Sequence, residues 1–314
     1  MGSLLAVCKP FVLKQKRVKL LKIQFGTSLM KYSHQMSRLK LWQFASANQK
    51  IWIFCLCLLL LLPLGKPARA QDYVESQGLR FRLIPGGSYV LGSPRHEAGR
   101  YANEPDPHRV TLKPFYLAVT ETTNAQYARF LKATGRPQPV YWQDKNLNDP
   151  KQPVVGVTWQ DARDFCQWLT KKTGVVHRLP TEAEWEAAAR GGLVGDPYPW
   201  GRELPDAGGR YRANYYPNDF ADDGFSLSAP VGSFPANGFG LFDMAGNVSE
   251  WCADEKAPLG GGTPFAAPDY RVRKGGSWRS RARDLRCAAR KFSPPETADG
   301  FIGFRVLRQV GTPQ

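Results

Sequence analysis

Leu241-Phe-Asp-Met-Ala-Gly-Asn-Val-Ser-Glu-Trp251 reads as a loop with chemistry in it. Carboxylates at Asp243 and Glu250 flank a tight Gly246-Asn247 turn, which can aim backbone carbonyls inward. Calcium takes six to eight oxygens, at about 2.3 to 2.6 Å, from such a mixture of carboxylate, carbonyl and water. Upstream, Asn214-Tyr-Tyr-Pro-Asn-Asp-Phe-Ala-Asp-Asp-Gly-Phe225 offers Asn214, Asp219, Asp222 and Asp223 before a glycine, again hard oxygen donors. Acidic Asn/Gly loops are more commonly solvated turns than ion sites, so composition alone leaves both readings open.

Around these loops the sequence predicts a small scaffold. Three segments open with a side chain able to cap free backbone amides: Thr123 with Gln126, Thr158 with Asp161, and Thr181 with Glu184. They predict helices running to about Ala133, to Gly174 and to Arg190, the first two stopped by Gly135 and Gly174. Short β-like runs fall at Leu79 to Ile84, Tyr89 to Leu91, Phe115 to Thr120, Val272 to Gly275, Arg286 to Arg290 and Gly303 to Leu307. The rest is rich in Gly, Pro, Asn and aromatics. Nine Trp argue against disorder, because large rings pin long loops onto a scaffold. There is no internal repeat.

A formal charge of +16 over 314 residues invites a nucleic-acid reading, but its distribution removes the basis for one. Twelve of the 43 Lys and Arg lie in residues 1–70, which hold none of the 27 Asp and Glu, so the remainder carries only +4. The first seventy residues look like an export signal instead. Ile51 to Leu64 is apolar, Arg38, Lys40 and Lys50 precede it, and Ala68-Arg69-Ala70 follows as a small-x-small cleavage site. The run is shorter than the roughly 20 residues of a spanning helix. Cleavage after Ala70 is therefore expected, with an uncleaved membrane anchor as the alternative; Met30 or Met36 would give a more usual signal length. Cys55 and Cys57 lack the small residues of a lipoprotein signal. This divides the chain into a targeting segment (1–70), a linker (71–78), a domain (79–309) and a tail (310–314), with the domain in the periplasm or outside the cell.

Beyond the leader stand Cys166, Cys252 and Cys287. Three thiols allow one disulfide or three small buried hydrophobes, and their spacing is not that of a zinc site. His108 and His177 each lie beside an Arg and read as hydrogen-bonding loop residues, not ligands, which leaves iron unassigned.

Five motifs occur in order: Arg178 to Gly192 (RLPTEAEWEAAARGG), Pro199 to Gly201 (PWG), Asn237 to Trp251 (NGFGLFDMAGNVSEW), Arg273 to Trp278 (RKGGSW) and Ile302 to Val306 (IGFRV). Together they resemble the formylglycine-generating enzyme, or sulfatase-modifying factor, family, from about Phe81 to Leu307. The resemblance implies the α+β class: an irregular, loop-rich variant of the C-type-lectin-like fold with a small sheet, about three helices and little regular structure. It also implies two structural calcium ions. One would be held by Asn214, the Tyr215 carbonyl, Asp223 and the Phe225 carbonyl; the other by Asp243, the Gly246 and Val248 carbonyls and Glu250.

The resemblance also bears on the basic stretch KGGSWRSRARDLRCAAR (Lys274 to Arg290). Copper-dependent family members carry two cysteines just after the GGS-aromatic motif, which hold Cu(I) as thiolates. Here Ser280 stands at the first position and no sulfur at the second, and an oxygen ligand is a poor substitute for soft sulfur. No catalytic residue is assignable; the family cleft positions are Ser249, Ser277, Ser280 and Arg290. Arg286 and Arg290 are expected to bind carbonyls and carboxylates such as Asp284. Arg279, Arg281 and Arg283 are expected either to do the same or, with Ser280, to suit the cleft to an anionic ligand. Two functions therefore stand: a protein-modifying oxidoreductase that works without copper thiolates, and a calcium-stabilised lectin-like binding module or pseudoenzyme without catalysis. The expected partner is a protein, peptide or anionic ligand, with no nucleic acid and no membrane contact except through the N-terminal segment.

Overall fold

The computed structural model describes residues 72–216, 223–254 and 270–311. The leader therefore lies outside the described residues, as do Asp219 and Asp222. Among the described residues no helix is long and apolar enough to cross a membrane.

The scaffold begins before Leu79. β1 (Tyr73–Ser76) pairs antiparallel with β2 (Leu79–Ile84), so the expected linker is instead a sheet edge. Gln77 and Gly78, both at positive φ (51° and 78°), form the two-residue hairpin that right-handed strand twist favours. β3 (Gly87–Leu91) and β4 (His108–Leu112) make a separate antiparallel ribbon. β5 (Phe115–Ala118) follows at the centre of the largest sheet.

The three capping boxes form as the sequence predicts, each worth about 1 kcal/mol. They open α1 (Asn124–Thr134), α2 (Trp159–Thr173) and α3 (Glu182–Ala189) at Thr123, Thr158 and Thr181. Gly135 and Gly174 end the first two in the left-handed conformation that a Cβ disfavours. Between α2 and α3 lies β6 (His177–Arg178), so His177 sits on a strand and not in a loop.

The remaining strands are β7 (Ser249–Trp251), β8 (Arg271–Lys274), β9 (Lys291–Ser293), β10 (Ile302–Gly303) and β11 (Leu307–Gln309). The five-stranded sheet runs β1-β2-β5-β11-β6, with β11 inserted between β5 and β6 in the register Leu307↔Leu117 and Leu307↔Arg178. A four-stranded sheet runs β10-β7-β8-β9, in which only β10–β7 is parallel. Mostly loop surrounds these sheets, as the α+β, C-type-lectin-like expectation requires.

Two expected strands differ. Gly303 to Leu307 is split between the two larger sheets: β10 ends in one, β11 starts in the other, and Arg305 is buried in the crossing. Arg286 to Arg290 is not a strand; a 3-10 turn (Ala282–Leu285) precedes it, Ala289 N–H bonds back to the Arg286 carbonyl, and β9 starts only at Lys291.

β5 is buried along its whole length, and its period of two divides the core. Tyr116 and Ala118 join Phe81, Tyr127, Phe130, Phe165 and Leu169 beneath α1 and α2, where Tyr127 and Phe165 stack at 5.6 Å. Phe115 and Leu117 face the other way, toward Ile84, Trp185, Leu241, Met244, Cys252 and Cys287. All three described cysteines are buried and unbridged, and burial pushes the Cys287 thiol up to about 12.

Candidate functional site

The 241–251 loop is built around three residues in left-handed backbone, Asp243 (φ 55°), Gly246 (φ 81°) and Asn247 (φ 56°). A Cβ on Gly246 would lie 2.2 Å from the Asn214 carbonyl oxygen, so only glycine lets the two acidic loops approach this closely. Asn247 then ties them together. Its backbone N–H donates to the Asn214 carbonyl (2.8 Å), its Oδ1 accepts from Ala229 N–H (2.8 Å), and its Nδ2 donates to Glu121 Oε1 (3.1 Å).

Beside that turn lies a buried charge cluster. Glu250, fully buried, accepts from Arg305 Nε (2.7 Å) and Nη2 (2.6 Å) and from Trp185 Nε1 (2.7 Å). Arg305, equally buried, also donates to the carbonyls of Ala118, Phe242 and Asp243. Asp243 Oδ2 accepts from Gly232 N–H at 2.6 Å, while Glu121 Oε2 is buried with no partner. Three carboxylates thus share one guanidinium. Burial raises the Asp243 carboxyl to about 6, and burial followed by the Asp243 charge holds Glu121 well above the usual carboxylate range. Sequence reading missed Glu121. It sits in an unremarkable Thr-Glu-Thr before α1, and only the tertiary fold brings it to Asn247 and Asp243.

The structure also brings the first proposed ligand set together. Asp223 accepts from Tyr215 N–H (2.9 Å) and Phe225 N–H (3.0 Å) through its two oxygens. Asn214 Nδ2 donates to the Leu227 carbonyl (2.8 Å), leaving Asn214 Oδ1 buried with no hydrogen-bond partner. An orphaned buried oxygen in a loop whose next N–H binds the Asp223 carboxylate fits a hard cation. Among the described residues no three His, Cys, Asp or Glu side chains converge as a metal site by themselves. An ion at either loop would therefore need amide and carbonyl oxygens to complete its shell, and the Tyr215, Phe225, Gly246 and Val248 carbonyls are the nearest candidates in sequence.

The basic stretch divides into buried and exposed halves. Lys274 is buried 3.4 and 3.5 Å from Glu186 and Glu182, and Arg290 Nη2 lies 2.7 Å from Glu182 as an ion pair without hydrogen-bond alignment. Arg286 does not use Asp284, contrary to expectation. It pairs with Glu97 (2.6 Å) and Glu104, which fixes the 93–106 loop. Asp284 instead accepts from the Tyr101 hydroxyl (2.5 Å) and from Lys291 (3.0 Å). By contrast, Arg279, Arg281 and Arg283 are exposed, lying over the rings of Phe301 (4.7 Å), Tyr216 (4.3 Å) and Tyr101 (3.9 Å).

Among the expected cleft positions, Ser277 and Ser280 meet. Ser277 N–H donates to Ser280 Oγ (3.0 Å), the two hydroxyls lie 3.2 Å apart, and Ser280 carbonyl accepts from Tyr216 N–H (2.9 Å). Ser249 Oγ is turned to the Lys274 carbonyl (3.3 Å) and Arg290 to Glu182, so neither shares that hydroxyl pair. Cu(I) is not suited by this donor set. Ser280, which the family resemblance places at the first copper position, offers oxygen, and the described thiols lie in apolar cores where burial favours their protonated form.

A profile of the "Sulfatase-modifying factor enzyme 1-like domain" family matches residues 70–310. The formylglycine-generating enzyme of Streptomyces coelicolor is 35% identical over 288 residues, covering 72% of this chain and 88% of that protein. The serine/threonine-protein kinase Pkn1 of Chlamydia trachomatis is 35% identical over 254 residues, 73% of this chain but only 38% of the kinase's length. The solved structure of PvdO from Pseudomonas aeruginosa superposes with a TM-score of 0.66 at 33% identity, over 77% of this chain and all of PvdO. The helices, sheets and loops described above are thus those of a known domain, and the chain belongs to the sulfatase-modifying factor family.

Proposed function

We infer that the protein is an exported sulfatase-modifying-factor-like protein that receives a polypeptide in the cleft beside Ser277 and Ser280 and does not oxidise it by a copper-thiolate route. The observation that carries this reading is the hydrogen-bonded Ser277–Ser280 pair at the position where the family resemblance expects a thiolate. Hydroxyls position a ligand by donating and accepting hydrogen bonds but do not hold Cu(I). Likeness to a formylglycine-generating enzyme supports the polypeptide class of ligand. Incubation with a Cys-x-Pro-x-Arg peptide and Cu(I), followed by mass spectrometry, should give no aldehyde product; conversion of the cysteine would overturn the reading.

Calcium has a structural part in it. Asn214, Tyr215, Asp223 and Phe225 would hold one ion, and Asp243, Gly246, Val248 and Glu250, with Glu121 nearby, the other. The orphaned Asn214 Oδ1 and the excess of carboxylates around Arg305 support these assignments. The ions would neutralise buried negative charge and pin loops that no sheet or helix holds. Export is supported by the charge and apolar pattern of residues 1–70, and N-terminal sequencing of the secreted chain should begin at Gln71.

A further inference from the structure

The fold spends carboxylates on nearly every deeply buried cation it has. Arg305 receives Glu250, Arg190 receives Glu186, Arg286 receives Glu97 and Glu104, and Lys274 receives Glu182 and Glu186. Arg279 and Arg283, which flank Ser280 in sequence, are treated differently, and Arg281 and Arg273 lie near them. Arg279 and Arg283 are exposed and meet no carboxylate among the described residues. Arg281 is exposed beside them over Tyr216. Arg273, half-buried on β8, has an Nε without a hydrogen-bond partner, and burial lowers its pKa to about 10, against the opposing charge of Asp299.

These side chains are nonetheless held in place. Phe301 lies between Arg273 (5.7 Å) and Arg279 (4.7 Å), and Tyr101 carries both Arg283 (3.9 Å) and Lys291 (4.1 Å). A guanidinium already resting on a ring loses less freedom when it takes up a carboxylate, and its planar fork suits two parallel hydrogen bonds. Arg279 and Arg283 are therefore preorganised for anions and meet none among the described residues.

We propose that this ridge of Arg273, Arg279, Arg281 and Arg283 on Phe301, Tyr216 and Tyr101 is the docking surface for an acidic polypeptide. The charges come from two segments and rest on three rings from three others, more than one small anion can touch. Rings lying among the charges favour a ligand that alternates carboxylates with apolar groups. A polypeptide supplies both. This rests on the reading that the cleft takes a polypeptide and adds the sign of its charge; among the described residues Asp299 opposes it at Arg273, and Asp284, held by the Tyr101 hydroxyl, Lys291 and the Arg281 backbone N–H, opposes it at the other end.

The test is fluorescence anisotropy of the purified full-length chain with labelled short peptides of alternating Glu and Ala, and of alternating Lys and Ala. The Glu peptide should bind and weaken with salt, whereas the Lys peptide should not. Arg279→Gln and Arg283→Gln should each weaken the Glu peptide by about tenfold, and Arg279→Lys should recover only part of the loss. Melting temperatures of these exposed-site variants should stay unchanged, which separates lost docking from lost folding. Preference for the Lys peptide, or Glu-peptide binding indifferent to both substitutions, overturns the acidic assignment alone. Failure of both peptides overturns the polypeptide reading with it. Stronger competition by single-stranded DNA than by unlabelled Glu peptide would replace the acidic polypeptide with a nucleic acid.

Discussion

The core under α1 and α2 and the core where the 223–250 and 284–290 segments meet are both buried, but by opposite chemistry. Tyr127, Phe130, Phe165 and Phe304 fill the first with interlocking rings. The second is closed by Arg305, Arg286, Asn247 and Lys274, each satisfied by particular acceptors. Apolar burial is non-directional and tolerates exchange of similar volumes. A buried ion has no substitute partner, so the second core depends on individual pairs.

The largest test of that contrast is Arg305→Met. It leaves Glu250 buried without its charge partner and should cost about 3 to 5 kcal/mol in urea unfolding. Adding Glu250→Gln should recover part of the loss. Leu169→Met, in the aromatic core, should cost less than about 1.5 kcal/mol. Equal losses for Arg305→Met and Leu169→Met would erase the distinction between the two cores.

A second test uses pH. Asp243 and Glu121 are raised in the folded state, so between the unfolded carboxylate range and about pH 6 the folded chain binds more protons. In chelator, the Asp243 contribution should therefore be present at low pH and lost as pH rises through about 6, a change on the order of 2 kcal/mol, and Glu121 adds to it in the same direction. His177 works in the opposite direction. Burial keeps its imidazole neutral, so its effect is destabilising below about pH 6.5 and vanishes above it. Asp243→Asn should flatten the carboxylate slope and leave the histidine slope. An unaltered profile would remove Asp243 as its origin.

Calcium should act more weakly. At ten times its dissociation constant one ion adds about 1.4 kcal/mol, so chelation should lower the melting temperature and Asn214→Ala with Asp223→Ala should diminish that response. Because burial raises the Asp243 carboxyl to about 6, binding at the second site at or below that pH should also release protons, read by calorimetry in buffers of different ionisation enthalpy. The smallest expected effect is Thr158→Ala, about 1 kcal/mol from a single lost cap.

The helices were legible because their signals are local: a Thr at the cap, its partner three residues on, and a glycine at the end. The Gln77-Gly78 hairpin was legible in principle, yet the eye goes to Leu79, where the hydrophobic run begins. Arg286 was misread as a strand residue because Arg-Cys-Ala-Ala-Arg alternates plausibly on paper. Its partners, Glu97 and Glu104, lie more than 180 residues away. Glu121 left no local trace for the same reason.

The amino-acid order alone determined the family, the three capped helices, the concentration of positive charge before residue 70 and the hydroxyl at position 280, since each is a matter of residue identity or short spacing. Only the tertiary structure decided which arginines are neutralised and which face outward, that Glu121 joins Asp243 and Glu250, and that Asn214 keeps an unmatched oxygen. Those outcomes depend on segments distant in sequence meeting in a low-dielectric interior, where the identity of the neighbour sets the energy of a charge.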